Sequence, residues 1–245
     1  MKRLLPVIAL VLMGAQCDPP DPGPPDPYCQ GTPAKGILDT LFGGLNDAYN
    51  SIFGGEPSTD RRATALVHIG DTGYCSGTVV SPRTVLTAAH CLGDSMSVTI
   101  GAQRFQVAET LKHPDYRSAP YNDLALLFFE QDLPGPYVSD VYDSAKATDC
   151  EGLLAQGWGK SETPRVDLNE SDYRVVKENQ KTLYTKQLNP GGICFGDSGG
   201  PLYAFVGAET MIAGVTSTTY SQDCLVGGDH VRLSYYSPWL EENMR

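Results

Sequence analysis

Gly196-Asp197-Ser198-Gly199-Gly200-Pro201 is the stretch on which the reading turns. Three glycines and a proline in six residues rule out a helix interior and mark a tight loop. Within that loop a single serine stands beside an acid. A serine hydroxyl is a poor nucleophile near neutral pH and needs a neighbouring base. Two upstream strings supply what it lacks: Thr87-Ala88-Ala89-His90-Cys91 offers an imidazole, and Asn122-Asp123-Leu124-Ala125-Leu126 a carboxylate at the head of an apolar run. Taken singly, each has an ordinary reading as a tight loop, a structural histidine or a turn aspartate. Together, in the order His90, Asp123, Ser198, they form a set suited to nucleophilic catalysis.

Working outward, the chain from Ala63 onward reads as all-β. Its apolar runs are short and rich in β-branched residues, as in 65–69, 78–80, 97–100 and 124–129, and Gly, Pro, Asn and Asp punctuate them. One helix is expected at the C-terminus, with Ser237 as its cap and Pro238 in its first turn. Residues 36–53 carry apolar side chains at spacings of three and four, from Ile37 to Phe53, which predicts one helical face interrupted by Gly43-Gly44.

The three strings, with Lys112-His113-Pro114-Asp115-Tyr116, Gly157-Trp158-Gly159 and Gly214-Val215-Thr216-Ser217, resemble the chymotrypsin-like (trypsin-fold) serine endopeptidases from about Ile52 to the C-terminus. The resemblance implies two packed antiparallel β-barrels with a short C-terminal helix and the active site in the crevice between them. It implies that His90 is the base, Asp123 its orienting carboxylate and Ser198 the nucleophile, with the Gly196 and Ser198 N–H groups as the oxyanion hole and Ser217 supporting Asp123. Ser217 also has the plain reading of a strand serine. Ser51-Ile52-Phe53-Gly54-Gly55 resembles the new N-terminus of activated members. The ammonium freed at Ile52 would pair with Asp197, and Asn50-Ser51 before the bond is not a trypsin-type cleavage site. Gly192, Ser217, Thr219 and Gly228 match the specificity pocket. With glycine rather than an acid at its base, the pocket is expected to take small or medium neutral side chains. His230 lies nearby, with the stronger reading as a strand histidine and a weaker one as a partner for acidic side chains. Disulfides Cys75–Cys91 and Cys194–Cys224 are implied by the family, and chymotrypsin's tethered pro-segment is the precedent for Cys29–Cys150. No metal and no cofactor are expected.

The N-terminus places the chain outside the cytoplasm. Lys2 and Arg3 precede an apolar run, Leu4 to Ala15, too short to span a bilayer easily, which reads as a secretory signal over 1–16. Cys17 stands where bacterial lipoproteins carry their lipidated cysteine, and this segment resembles theirs. Cleavage near Ala15 with a free Cys17 thiol is the alternative. Residues 17–28 form a Pro/Asp-rich linker, 29–51 a pro-segment and 52–245 the catalytic domain. The 18 Lys and Arg against 29 Asp and Glu give a net charge of -11, which speaks against nucleic acid as a partner. The expected partners are protein or peptide substrates, together with a membrane through lipid on Cys17, and the expected state is a monomer. The competing readings are a catalytically silent binding protein on the same scaffold and a glutamyl-specific protease.

Overall fold

The computed structural model describes residues 52, 55–58, 63–142, 152–160, 167–188, 191–206 and 209–245. The signal, linker and pro-segment, with Cys17, Cys29 and Cys150, lie outside them.

Alternation of buried and exposed side chains along the strands builds two sheets. The first contains β2 (Thr64–Ile69), β3 (Gly73–Ser81), β4 (Thr84–Thr87), β5 (Met96–Ile100), β6 (Gln103–Gln106), β7 (Glu109–Lys112) and β8 (Ala125–Phe128). They are antiparallel in the order β6-β5-β2-β3-β4-β8-β7. β4 and β8 are buried on both faces, which is why their sequences, TVLT and ALLF, lack the polar alternation of a half-exposed strand.

The second sheet contains β1 (Glu56–Pro57), β9 (Leu153–Gly157), β10 (Asn169–Glu178), β11 (Thr182–Gln187), β12 (Pro201–Val206), β13 (Glu209–Thr219) and β14 (Gly228–Arg232). Its order is β1-β10-β11-β14-β13-β12-β9, and an additional β10–β9 pairing closes it on itself, leaving few free edges. In β10 the alternation is plain: Asn169, Ser171 and Tyr173 are buried while Glu170 and Asp172 are not.

The barrels meet through polar as well as apolar contacts. Thr64 on β2 donates to Gln156 Oε1 on β9 at 2.8 Å and lies 3.0 Å from the Tyr203 hydroxyl on β12. A helix, α1 (Leu233–Asn243), follows β14 directly and buries Leu233, Tyr236 and Leu240, spaced three and four residues apart, in a core cluster that draws on both barrels.

Two expectations need correction. The terminal helix starts at Leu233, so Ser237 does not cap it and Pro238 lies inside it. The proline ring removes the N–H that would reach the Ser234 carbonyl, and the Ser237 hydroxyl lies 3.4 Å from that same carbonyl as a substitute donor. Burial of Leu233 and Tyr236 extends the helix upstream of the residues that read as its start. Ile52, assigned to an apolar helical face, instead has φ of +56° and sits fully buried with Leu153, Tyr173 and Ile193. A β-branched residue rarely adopts that left-handed conformation. The rest of the 36–53 pattern, apart from Ile52, lies outside the described residues.

Candidate active site

The loop after β4 makes a 3-10 turn over Ala89–Cys91, and a disulfide from Cys91 to Cys75 on β3 ties it down. Asp123, two residues before β8 begins, is fully buried. Three donors surround it. The His90 backbone N–H reaches Oδ1 at 2.9 Å, His90 Nδ1 lies 2.7 Å from Oδ2, and the Ser217 hydroxyl donates to Oδ2 at 2.5 Å. A carboxylate only accepts, so the proton of a neutral His90 sits on Nδ1 and Nε2 is left with a free lone pair. A cleft of about 340 Å³ opens between the barrels, and His90 and Ser198 both line it.

The loop carrying Ser198 is fixed from both sides. From the first barrel, Ser76 N–H donates to the Ser198 carbonyl at 2.8 Å and the Ser76 hydroxyl donates to the Gly196 carbonyl at 2.9 Å. From the second, Lys160 N–H donates to the Phe195 carbonyl at 2.6 Å. A trans peptide points its C=O and N–H in opposite directions, so this last bond turns the Gly196 N–H away from Lys160. Gly196 has φ of +98°, and a Cβ there would come within 2.3 Å of the Tyr74 ring. No other residue type fits.

Asp197 is buried beneath this loop. It accepts Gly159 N–H and Cys194 N–H, each at 2.7 Å. Among the described residues no cation pairs with it. Burial outweighs the two hydrogen bonds and pushes its carboxyl up to about 7.

Thr216 to Thr219 of β13 and Ile193 also line the cleft. Ser217 and Thr219 are thus among its lining residues. Gly192 and Gly228 do not line it. A Cβ on Gly192 would run into the Cys224 carbonyl, and one on Gly228 would meet the Thr218 carbonyl and Ile193 Cδ1. Both glycines therefore lie against neighbouring backbone. Cys194 and Cys224 are bonded to each other. Cys75, His90 and Cys91 lie close enough to suggest a metal site, but the two sulfurs are joined as a disulfide and offer no thiolate.

A family model described as Trypsin matches residues 52–240. The chain belongs to the trypsin family.

Among curated relatives, phenoloxidase-activating factor 3 of Holotrichia diomphalia is 28% identical over 227 residues, covering 70% of this chain. The chain spans 64% of that protein's length. Granzyme E of Mus musculus is 27% identical over 253 residues, covering 85% of this chain and 97% of the granzyme. Among solved structures, neuropsin, a serine protease expressed in the limbic system of mouse brain, superposes with a TM-score of 0.62 at 23% identity, over 76% of this chain and 95% of its own. The fold is therefore that of a trypsin-family serine endopeptidase, with two antiparallel barrel-like sheets and one short C-terminal helix.

Three neighbours of this trypsin-family site escaped the sequence reading. Ile193 follows the glycine assigned to the pocket base and takes its place in the cleft. Its sequence signal was one residue away: a bulky apolar side chain between Gly192 and a cysteine that the family bridges. Ser76 follows Cys75 and holds both carbonyls that flank the nucleophile's loop. Ala119 also lines the cleft, and its sequence carries no signal of that place.

Proposed function

We propose that this chain is a serine endopeptidase, secreted or held at a cell envelope, that cuts peptide bonds through an acyl-enzyme. The carrying observation is the buried Asp123. It fixes the proton of His90 on Nδ1 and leaves Nε2 as an acceptor in the cleft that Ser198 lines. His90 takes the proton of the Ser198 hydroxyl as the oxygen attacks the substrate carbonyl. Asp123 stabilises the resulting imidazolium without taking the proton itself. The developing oxyanion is met by the Gly196 and Ser198 N–H groups; removal of one such donor costs roughly 100- to 1000-fold in kcat on side-chain precedents. His90 then protonates the leaving amine, and water admitted on the same route releases the acyl group.

The precursor reading is that residues 1–16 are a signal, 17–28 a linker and 29–51 a pro-segment, and that cleavage before Ile52 switches on the domain 52–245. It is supported by a buried Asp197 with no cationic partner among the described residues and by the left-handed φ of Ile52, which a free N-terminus would release. Disulfides favour an oxidising, extracytoplasmic setting, and trypsin-family relatives are typically secreted. Lipid on Cys17 and a tether between Cys29 and Cys150 remain part of the proposal. The relatives named above come from an insect and a mouse and lend no support to a bacterial lipoprotein. Ile193 and Thr219 in the lining of the cleft favour small or medium neutral side chains ahead of the scissile bond.

The test is a fluorophosphonate probe on protein cut before Ile52. Labelling that Ser198→Ala abolishes is the expected result. A cut chain that does not label refutes the enzyme reading and leaves a binding protein on the same scaffold.

A further inference from the structure

Four consecutive residues of the cleft wall carry hydroxyls: Thr216, Ser217, Thr218 and Thr219. Each has one proton to donate, and for each the protein offers an acceptor of its own. Ser217 donates to Asp123 Oδ2 at 2.5 Å, and Thr218 donates to Asp229 Oδ2 at 3.1 Å. Thr219 lies 3.3 Å from the Ser221 carbonyl and 3.4 Å from the Gly227 carbonyl, both of which only accept.

Thr216 is settled by a chain of protons behind the wall. The Thr185 hydroxyl donates to the Gly228 carbonyl at 3.1 Å, so toward His230 it can only accept. His230 Nε2, at 3.0 Å from Thr185 Oγ1, must then carry the ring proton. Burial holds the His230 ring neutral, with its titration pushed down to about 3, so Nδ1 carries a lone pair. Thr216 Oγ1, 3.2 Å from Nδ1, must therefore donate to it.

We infer that the β13 wall of the cleft has no side-chain hydrogen-bond donor available to substrate, and that the pocket rejects acidic side chains while accepting uncharged ones, including amides. This rests on the endopeptidase reading above and names its substrate class. A carboxylate entering such a pocket loses its hydration and meets hydroxyl lone pairs and methyls instead of donors. The Asp229 carboxylate one hydrogen bond behind Thr218 adds like charge. An amide of the same shape brings its own N–H donors to those lone pairs. The apolar Ile193 in the lining serves either neutral class. The same proton order removes His230 as a partner for acidic substrates: the ring is fully buried, and its one N–H points at Thr185.

The test uses cut enzyme and two pairs of peptides alike except at the residue before the scissile bond, Asn against Asp and Gln against Glu. At neutral pH kcat/KM is expected to favour each amide by about 100-fold, in the range seen when a site cannot satisfy a polar group. A ratio below tenfold in either pair overturns the inference. Nitrogen NMR of His230 in the Ser198→Ala chain gives a readout independent of catalysis. A neutral ring protonated on Nε2 from pH 5 to 8 is expected, and an Nδ1–H tautomer or an imidazolium overturns the inference. If the cut chain takes no fluorophosphonate, the enzyme reading fails and the His230 spectrum still judges the proton order. If it labels but cleaves acidic peptides equally well, only the inference fails.

Discussion

Replacing Asp197 with asparagine in a precursor that also carries Ser198→Ala, so that it cannot cut itself, should remove a specific pH dependence of stability. The carboxyl of Asp197 titrates at about 7 in the folded chain against 3.8 in its unperturbed state. The folded precursor therefore holds this proton more tightly than the unfolded one. The stability associated with the neutral acid is fully present below pH 3.8 and is lost progressively as pH rises to about 7. At roughly 1.4 kcal/mol per pH unit, the loss reaches at most about 4 kcal/mol. For a domain of this size 1 kcal/mol moves Tm by about 2–4 °C, so the shift is on the order of 10 °C. His230 acts with the opposite sign. Its folded value of about 3 lies below its unfolded 6.5, so it contributes stability present above pH 6.5 and lost as pH falls toward 3. The raw melting curve of the precursor is consequently flattened, and the informative quantity is its Tm minus that of the Asp197→Asn form, measured from pH 4 to 8. Asparagine sacrifices one of the two backbone hydrogen bonds, which offsets the comparison by a constant and leaves its slope alone. The difference should fall steadily as pH rises. After cleavage before Ile52 this fall should vanish, because a carboxylate paired with an ammonium titrates below its usual value and stays ionised across the whole range. Precursor differences that stay constant within about 2 °C across the range would mean that Asp197 holds no such proton.

Three further outcomes follow from single contacts. Gly196→Ala forces a Cβ against Tyr74 at a φ of +98°; the protein should still fold, with fluorophosphonate labelling of the cut form reduced at least 100-fold. Ser217→Ala removes a charge-assisted bond to Asp123 and should lower kcat about 10- to 100-fold with little change in KM, as steady-state kinetics on one neutral peptide will show. Asn169 is fully buried with neither side-chain polar atom partnered among the described residues, so the isosteric Asn169→Leu should raise stability by about 1–3 kcal/mol in urea denaturation.

The all-β class was legible because β-branched runs and turn residues alternate at strand spacing, and nearly every run singled out falls within a strand. Position in space was legible where the chemistry needs a rare residue type. His90, Asp123 and Ser217 carry functional groups whose grouping can be anticipated from the strings they occupy, and the structure brings these three within hydrogen-bond distance. The pocket was harder to read because glycine is ambiguous. An absent side chain can mean space for a ligand, as expected of Gly192 and Gly228, or space for a neighbouring backbone, as the carbonyls of Cys224 and Thr218 show. The start of α1 was missed because capping signals compete with burial. Ser237 and Pro238 have the right local chemistry, but Leu233 and Tyr236 gain more by packing as helix into the core. The direction of the hydroxyl protons on β13 could not be read at all, since it depends on partners from β11, β14 and the first barrel.

Under the proposed activation by cleavage before Ile52, Ser76 spares the loop from being rebuilt. Its hydroxyl donates to Gly196 and accepts Trp158 N–H at 2.8 Å, and its own N–H holds Ser198. With Lys160 holding Phe195, both peptide groups around Gly196 are oriented by bonds that involve no charge. Asp197 supplies the remaining anchor, and it alone depends on ionisation. Below about pH 7 burial favours the neutral acid, a weaker acceptor for the N–H groups of Gly159 and Cys194 than a carboxylate would be. A cation beside it would favour the ionised form and tighten both bonds at once. The activation step proposed for this chain therefore reduces to one ionisation acting on a loop already held in place. A refolded loop would have to break the Ser76 contacts, and those contacts join the two barrels across the cleft itself.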